Sequence, residues 1–230
     1  MKEMFSESLY FGVAISLTGY AVGLFLKKKL KWGILNPLLL SIVFVIAALQ
    51  ILDVEYETYN ETAQYLSYLL TPATVALAIP LYQKIDLLKK NLLAVSLGIL
   101  AGVFSSLGSI LGMAYLFELS HEQYVTLLPK SITTAIGIGV SEELGGVTTI
   151  TVAVILITGV LGNVIGQVIC KLFRIYEPIA VGLAFGTASH AIGTSKALEI
   201  GDVEGAMSSL SIAVSGLLTV VFASIFSTFL

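Results

Sequence analysis

Two stretches of an otherwise apolar chain carry side chains able to do chemistry: "LPKSITT" at residues 128–134 and "TASHAIGT" at 187–194. Lys130 offers a compact positive charge that can pair with a carboxylate, or it snorkels to a nearby interface at lower cost. Ser131, Thr133, Thr134, Thr187, Ser189 and Thr194 supply hydroxyl oxygens, with Gly193 among them. Where such a segment opens a helix, its free N–H groups favour anions as well. These residues form a candidate binding set for a small organic anion. His190 carries an imidazole whose ordinary pKa of about 6.5 suits a proton-coupled carrier; the alternative is a neutral ring that ties two helices together. Ser189 and His190 are neighbours, and on a helix they point about 100° apart, which is poor geometry for a nucleophile and its base. No zinc spacing, P-loop, dinucleotide fingerprint or nucleophile elbow occurs. The residues therefore read as a binding set in a protein that is not an enzyme, with no cofactor, no metal and no nucleic-acid partner.

The elements that position these residues must lie in lipid. With 57% hydrophobic and 12% charged residues over 230 positions, the chain has too little polar surface for water. Spans of roughly 20 residues are expected at about 8–26, 34–52, 91–117, 147–169 and 205–229, with a shorter proline-broken one near 65–82. Two further stretches, 126–146 and 178–202, have membrane length but are rich in Gly, Ser, Thr and charge. The longest polar segment, 53–64, is too short for a soluble domain, so residues 1–230 read as one transmembrane domain: all-α, polytopic, with seven or eight hydrophobic segments. The N-terminal residues lack the features of a signal peptide, and the first helix is expected to remain as an anchor. Cys170 stands alone, so no intrachain disulfide forms.

Basic residues set the expected orientation. Lys27, Lys28, Lys29 and Lys31 place the first loop in the cytoplasm and the N-terminus outside, and Lys84, Lys89 and Lys90 mark the cytoplasm again. Lys171 and Arg174 return to the cytoplasm only if 126–146 enters and leaves on one side; a spanning broken helix is the alternative.

The two polar stretches also form an internal repeat. "SITTAIGIGVSEELGG" at 131–146 aligns without a gap on "TASHAIGTSKALEIGD" at 187–202, pairing Ser131 with Thr187, Thr133 with Ser189, Gly137 with Gly193 and Glu143 with Glu199. Each copy precedes a long apolar helix. If each unit is one re-entrant or broken element plus one full span, it crosses an odd number of times and its copies are inverted, as in secondary transporters. Non-helical backbone at that depth must be buried in protein or line a wet cavity. Glycines four apart, such as Gly98 and Gly102 or Gly108 and Gly112, read as helix-packing devices, one face of which could serve a homodimer. Asn163 and Gln167 should point inward, and Lys196 should pair with Glu199.

The strings "LPKSITTAIGIGVSEELGG", "ITGVLGNVIG", "GLAFGTASHAIGTSKALEIGDVEGAMSSL" and "LTPATVALAIPLY" resemble the LrgB/CidB family from about residue 8 to the C-terminus. One departure is Ala135, where the family usually has proline after the paired threonines; Gly137 and Gly139 could supply the same freedom. The resemblance implies a multi-pass protein of a prokaryotic plasma membrane and two kinds of function. One is carriage of small monocarboxylates such as glycolate, glycerate or pyruvate. The other is antiholin-like modulation of murein hydrolase export and autolysis, with a smaller LrgA/CidA-type membrane partner.

Overall fold

The computed structural model describes residues 10–30 and 36–230 and is helical throughout its long elements. The N-terminal stretch and Lys31 lie outside the described residues. Among these, five runs are long and apolar enough to cross a membrane, namely Phe11–Leu30, Tyr56–Gln83, Leu92–Leu116, Thr148–Leu172 and Asp202–Phe229, and Pro37–Leu52 is a shorter apolar helix. The chain divides into two compact units, Met1–Ala76 and Leu77–Leu230.

In the first unit α1 (Phe11–Leu30) packs on α2 (Pro37–Leu52). Asn36 caps α2, its side chain accepting from the Leu38 and Leu39 amides, and Pro37 takes the first helical position, where its missing N–H costs nothing. At Gly23 an added Cβ would stand 2.5 Å from the Pro37 carbonyl, so glycine is what lets the two backbones touch. One sequence expectation needs correction. Lys27, Lys28 and Lys29 are the last turn of α1 and not a loop, a place where cations meet the negative end of the helix dipole. The polar stretch after Asp53 folds as α3 (Tyr56–Ala63) and passes through a 3-10 segment (Gln64–Leu69) into α4 (Leu70–Ala76). Pro72 has no N–H to give Tyr68 and crowds its carbonyl, and the tighter winding falls just there.

The second unit holds α5 (Ala78–Gln83), α6 (Ile85–Lys90), α7 (Leu92–Leu116), α8 (His121–Leu127), α9 (Thr134–Glu143), α10 (Thr148–Leu172), α11 (Pro178–Ile200) and α12 (Asp202–Phe226). α7 and α12 run side by side in one direction, with Phe104 packed on Phe222 at 4.6 Å between ring centres and the Tyr115 hydroxyl on the Phe229 carbonyl. At the other end Lys84 meets Asp202 at 3.8 Å. Buried Val95, Ile99, Val103, Leu107 and Ile110 make one stripe of α7 into the centre of the apolar core.

Both polar stretches are re-entrant hairpins. In the first, α8 and α9 are joined by a turn over 128–133, and the chain comes back to where it started: the Val147 amide donates to the Thr126 hydroxyl at 2.8 Å. In the second, α11 is two half-helices, 178–189 and 191–200, divided at His190, whose φ of 42° and ψ of −140° are non-helical. Gly193 would bring a Cβ to 2.8 Å from the Phe185 carbonyl, although eight residues of straight helix would hold them about 12 Å apart. Gly182 and Gly186 touch Glu204 and Ser208 of α12 in ascending order, whereas Thr194 and Leu198 touch Ser208 and Gly205 in descending order. The first half therefore runs parallel to α12 and the second runs back against it. The base of the first hairpin lies with the C-terminal end of α12, where the Tyr124 hydroxyl donates to the Phe226 carbonyl at 2.8 Å. The base of the second lies at the Lys84 end, so the two hairpins enter from opposite ends and the repeat is inverted.

This arrangement predicts opposed accessibility for repeat-related, exposed Glu143 and Glu199. In a Cys170→Ala background, Glu143→Cys and Glu199→Cys are expected to react with an impermeant maleimide from opposite faces of sealed vesicles; labelling from one face would refute the inversion.

Candidate functional site

The first hairpin is closed at its base by hydroxyls. Thr151 on α10 donates to the Thr126 carbonyl at 2.9 Å and stands 2.7 Å from the Ser141 hydroxyl, all three residues being buried. α9 ends in a Schellman cap: the Gly146 amide reaches the Ser141 carbonyl at 2.7 Å and the Gly145 amide reaches Glu142, with Gly145 at a φ of 82° that suits glycine. α9 starts at Thr134, after the turn, so Ala135 sits in the first turn of the helix. Proline is tolerated there but is not what breaks the chain, and the departure from the family pattern leaves the break intact.

The tip of this hairpin reaches the middle of α7. Ser106 donates to Ser131 at 3.0 Å, and the Lys130 ammonium donates to Ser131 at 2.9 Å and Ser106 at 3.4 Å. Ser106 is about 21 Å from the start of α7 and about 15 Å from its end. The described residues place no carboxylate within ion-pair distance of Lys130. Lys130, Ser131, Ser105, Ser106 and Thr187 line the polar end of a cavity of about 650 Å³ that is open along its side, where Ala94, Ser105 and Ala188 are exposed. From there its wall descends along Gly98, Leu183, Ala184, Ala180, Ile179 and Ala94 to Asn91 and Glu177, at the Lys84 end. Thr187 stays in the wall because α7 has glycine at 102, where a Cβ would come to 2.6 Å from its hydroxyl.

The second hairpin presents its remaining polar groups to other neighbours. His190 is 3% exposed, its Nε2 donates to the Ile155 carbonyl of α10 at 3.0 Å, and its ring rests against Gly159. A carbonyl can only accept, so Nε2 carries the hydrogen. Asn163 donates to the Ile192 carbonyl at 2.8 Å, next to the reversal, which gives this inward-pointing amide its role. Ser189 packs on Gly162, and Thr194 donates to the His190 carbonyl at 3.0 Å and pairs with Ser208 at 2.7 Å. No hydrogen bond joins Ser189 to the His190 ring.

Of the sequence-selected residues, the cavity gathers Lys130, Ser131 and Thr187. Thr133 and Thr134 stand half-buried at the start of α9, and Ser189, His190, Gly193 and Thr194 serve the interior of the second hairpin. Sequence reasoning passed over Ser105 and Ser106. Two adjacent serines inside an apolar span were the available signal, because each needs a polar neighbour in lipid. Lys196 pairs with Glu199 at 2.9 Å as its spacing demands.

Opposed re-entrant hairpins around a half-depth polar cavity define an all-α, multi-pass membrane protein of inverted-repeat design. The chain belongs to the LrgB-like family, whose pattern matches residues 16–229. Its relatives include the antiholin-like proteins LrgB of Bacillus mycoides (strain KBAB4), Bacillus cereus (strain B4264) and Bacillus anthracis (strain CDC 684 / NRRL 3495). Each is 36% identical over 222 residues, 96% of this chain and 96% of the relative. No solved structure matches the chain.

The Thr151 hydroxyl is the knot at the base of the first hairpin. Thr151→Val is expected to destabilise the protein by about 1–3 kcal/mol, since it leaves buried polar groups unpaired. Ser109→Ala, at an exposed position on α7, should leave thermal unfolding in detergent unchanged.

Proposed function

We propose that the chain is a secondary transporter of small monocarboxylates of the glycolate, glycerate or pyruvate type, acting in a prokaryotic plasma membrane. The observation that carries this reading is Lys130: a cation at the middle of α7's length, at the polar end of an open-sided cavity, beside hydroxyls and with no carboxylate within ion-pair distance among the described residues. An ammonium removed from water without an anionic partner is costly, and a substrate carboxylate with the Ser106, Ser131 and Thr187 hydroxyls around it would complete the site. Cavities of 300–1,000 Å³ with a few convergent polar groups are the usual form of a small-molecule site. The basic end, with Lys84, Lys89, Lys90, Lys171 and Arg174, is assigned to the cytoplasm by the positive-inside rule. His190 is the group proposed to respond to protonation, acting through its contact with Ile155 and hence on the hairpin, not on the anion directly.

Antiholin-like regulation of murein hydrolase export and autolysis is the second reading, favoured by the names of the Bacillus relatives. Both readings admit an LrgA/CidA-type membrane partner and a homodimer. For the homodimer, Gly108 and Gly112 offer a small-residue face with no neighbour within 4 Å of an added Cβ.

Proteoliposomes separate the two. A transporter accumulates labelled glycolate or pyruvate and retains an enclosed dye, and Lys130→Met lowers uptake by at least about tenfold, the loss of roughly 1.4 kcal/mol of ion pairing. Dye release without saturable uptake of any C2 to C6 monocarboxylate would sink the transporter reading and favour the antiholin one. In the same vesicles His190→Gln should flatten the pH profile of uptake; a profile like that of the parent chain would remove His190 from coupling.

A further inference from the structure

The cavity has two chemically distinct ends, and the wall between them is apolar. Cation and hydroxyls are confined to one end, at Lys130, Ser105, Ser106, Ser131 and Thr187; below them Gly98, Leu183, Ala184, Ile179 and Ala94 form an open-sided sleeve without a polar side chain. The acid at the mouth, Glu177, precedes Thr187 by ten residues, about 15 Å along a helix. A two-carbon acid held by Lys130 would leave that sleeve unfilled.

Resting on the carboxylate-transport reading, we propose that the site prefers monocarboxylates bearing an unbranched aliphatic tail of about four to six carbons. The head sits on Lys130 and the tail lies along Gly98, Leu183 and Ala184. Three features of the structure favour this occupant. The single cation takes one carboxylate. The sleeve rewards methylenes, each worth up to about fourfold in affinity when fully buried. Glu177 at the mouth repels a second carboxylate, so a dicarboxylate of equal length is disfavoured. Gly98 and Ala184 then act as specificity-determining positions, since side chains there would occupy the path of the tail; an added Cβ at Gly98 meets only Leu183, at 2.8 Å.

Calorimetric binding of acetate, propionate, butyrate, hexanoate and adipate to the full chain in nanodiscs tests this. Affinity should rise from acetate to hexanoate, by about tenfold or more over the four added methylenes even at half burial. Adipate should bind more weakly than hexanoate. Ala184→Leu, and Ala94→Leu as an independent second variant, should abolish the gain beyond butyrate, and Lys130→Met should weaken the whole series. Acetate binding with no gain along the series overturns this inference and leaves the transport reading standing. A gain that survives both cavity-filling variants and Lys130→Met is partition into lipid and also overturns it. Absence of binding by every acid to folded protein overturns both.

Discussion

Backbone hydrogen bonding in lipid is the constraint on which the second unit of this protein depends. A helix satisfies its own amides and carbonyls, but a chain that turns back at mid-depth frees several of each, and hydrocarbon offers no partner. Both reversals are accordingly enclosed, and each is met by a side chain from a neighbouring span. Ser106 of α7 bonds Ser131 in the first tip, and Asn163 of α10 bonds the Ile192 carbonyl beside the second. Among the described residues no buried side-chain nitrogen or oxygen lacks a partner. At the cavity this enclosure stays open on one side, and hydroxyls and a cation line it there.

Close approach of backbones follows from the same constraint. Helices in lipid gain little from burying apolar surface against one another, so contact area and short bonds must hold them. Gly159, Gly162 and Gly166 form a groove on α10 that receives His190, Ser189 and Phe185, and Gly182 and Gly186 press the second hairpin onto α12. A methyl group at any of these would meet the neighbour at under 3 Å, whereas Gly108 and Gly112 on α7 have open space. Equal spacing in the sequence thus covers two situations, and only the identity of the facing element separates them.

Apolar runs and local composition were enough to read the helical class, the positions of the long spans and the irregularity of 126–146 and 178–202. The ungapped repeat also carried the inversion, because an odd number of crossings per unit is arithmetic. Where each hairpin turns was not legible. The first reverses over 128–133, which overlaps the aligned stretch only at 131–133, and the second reverses at His190, a non-glycine residue with positive φ that composition gives no reason to expect. The matched glycines differ as well: Gly145 is left-handed at a helix end, while Gly201 is extended and opens α12. Ser106 escaped notice because its meaning depends on what the first tip brings to it from 25 residues away.

The two hairpins are alike in path and unlike in chemistry, and packing explains why. Ser131 and Thr187, matched in the repeat, meet in the same cavity wall, both leaning on α7. Their preceding residues are Lys130 and Gly186. Lys130 has the cavity beside it, so a long charged side chain fits. Gly186 lies against the Ser208 carbonyl and Ser211 of α12, where even a methyl group has no room. A lysine could not have been kept on both hairpins, so the site carries one cation although the fold carries two copies of its scaffold. The charge is thereby fixed to the hairpin that enters from the end opposite the cavity mouth. The second hairpin contributes the apolar wall at Ile179, Ala180, Leu183 and Ala184, and the first contributes the cation at its end.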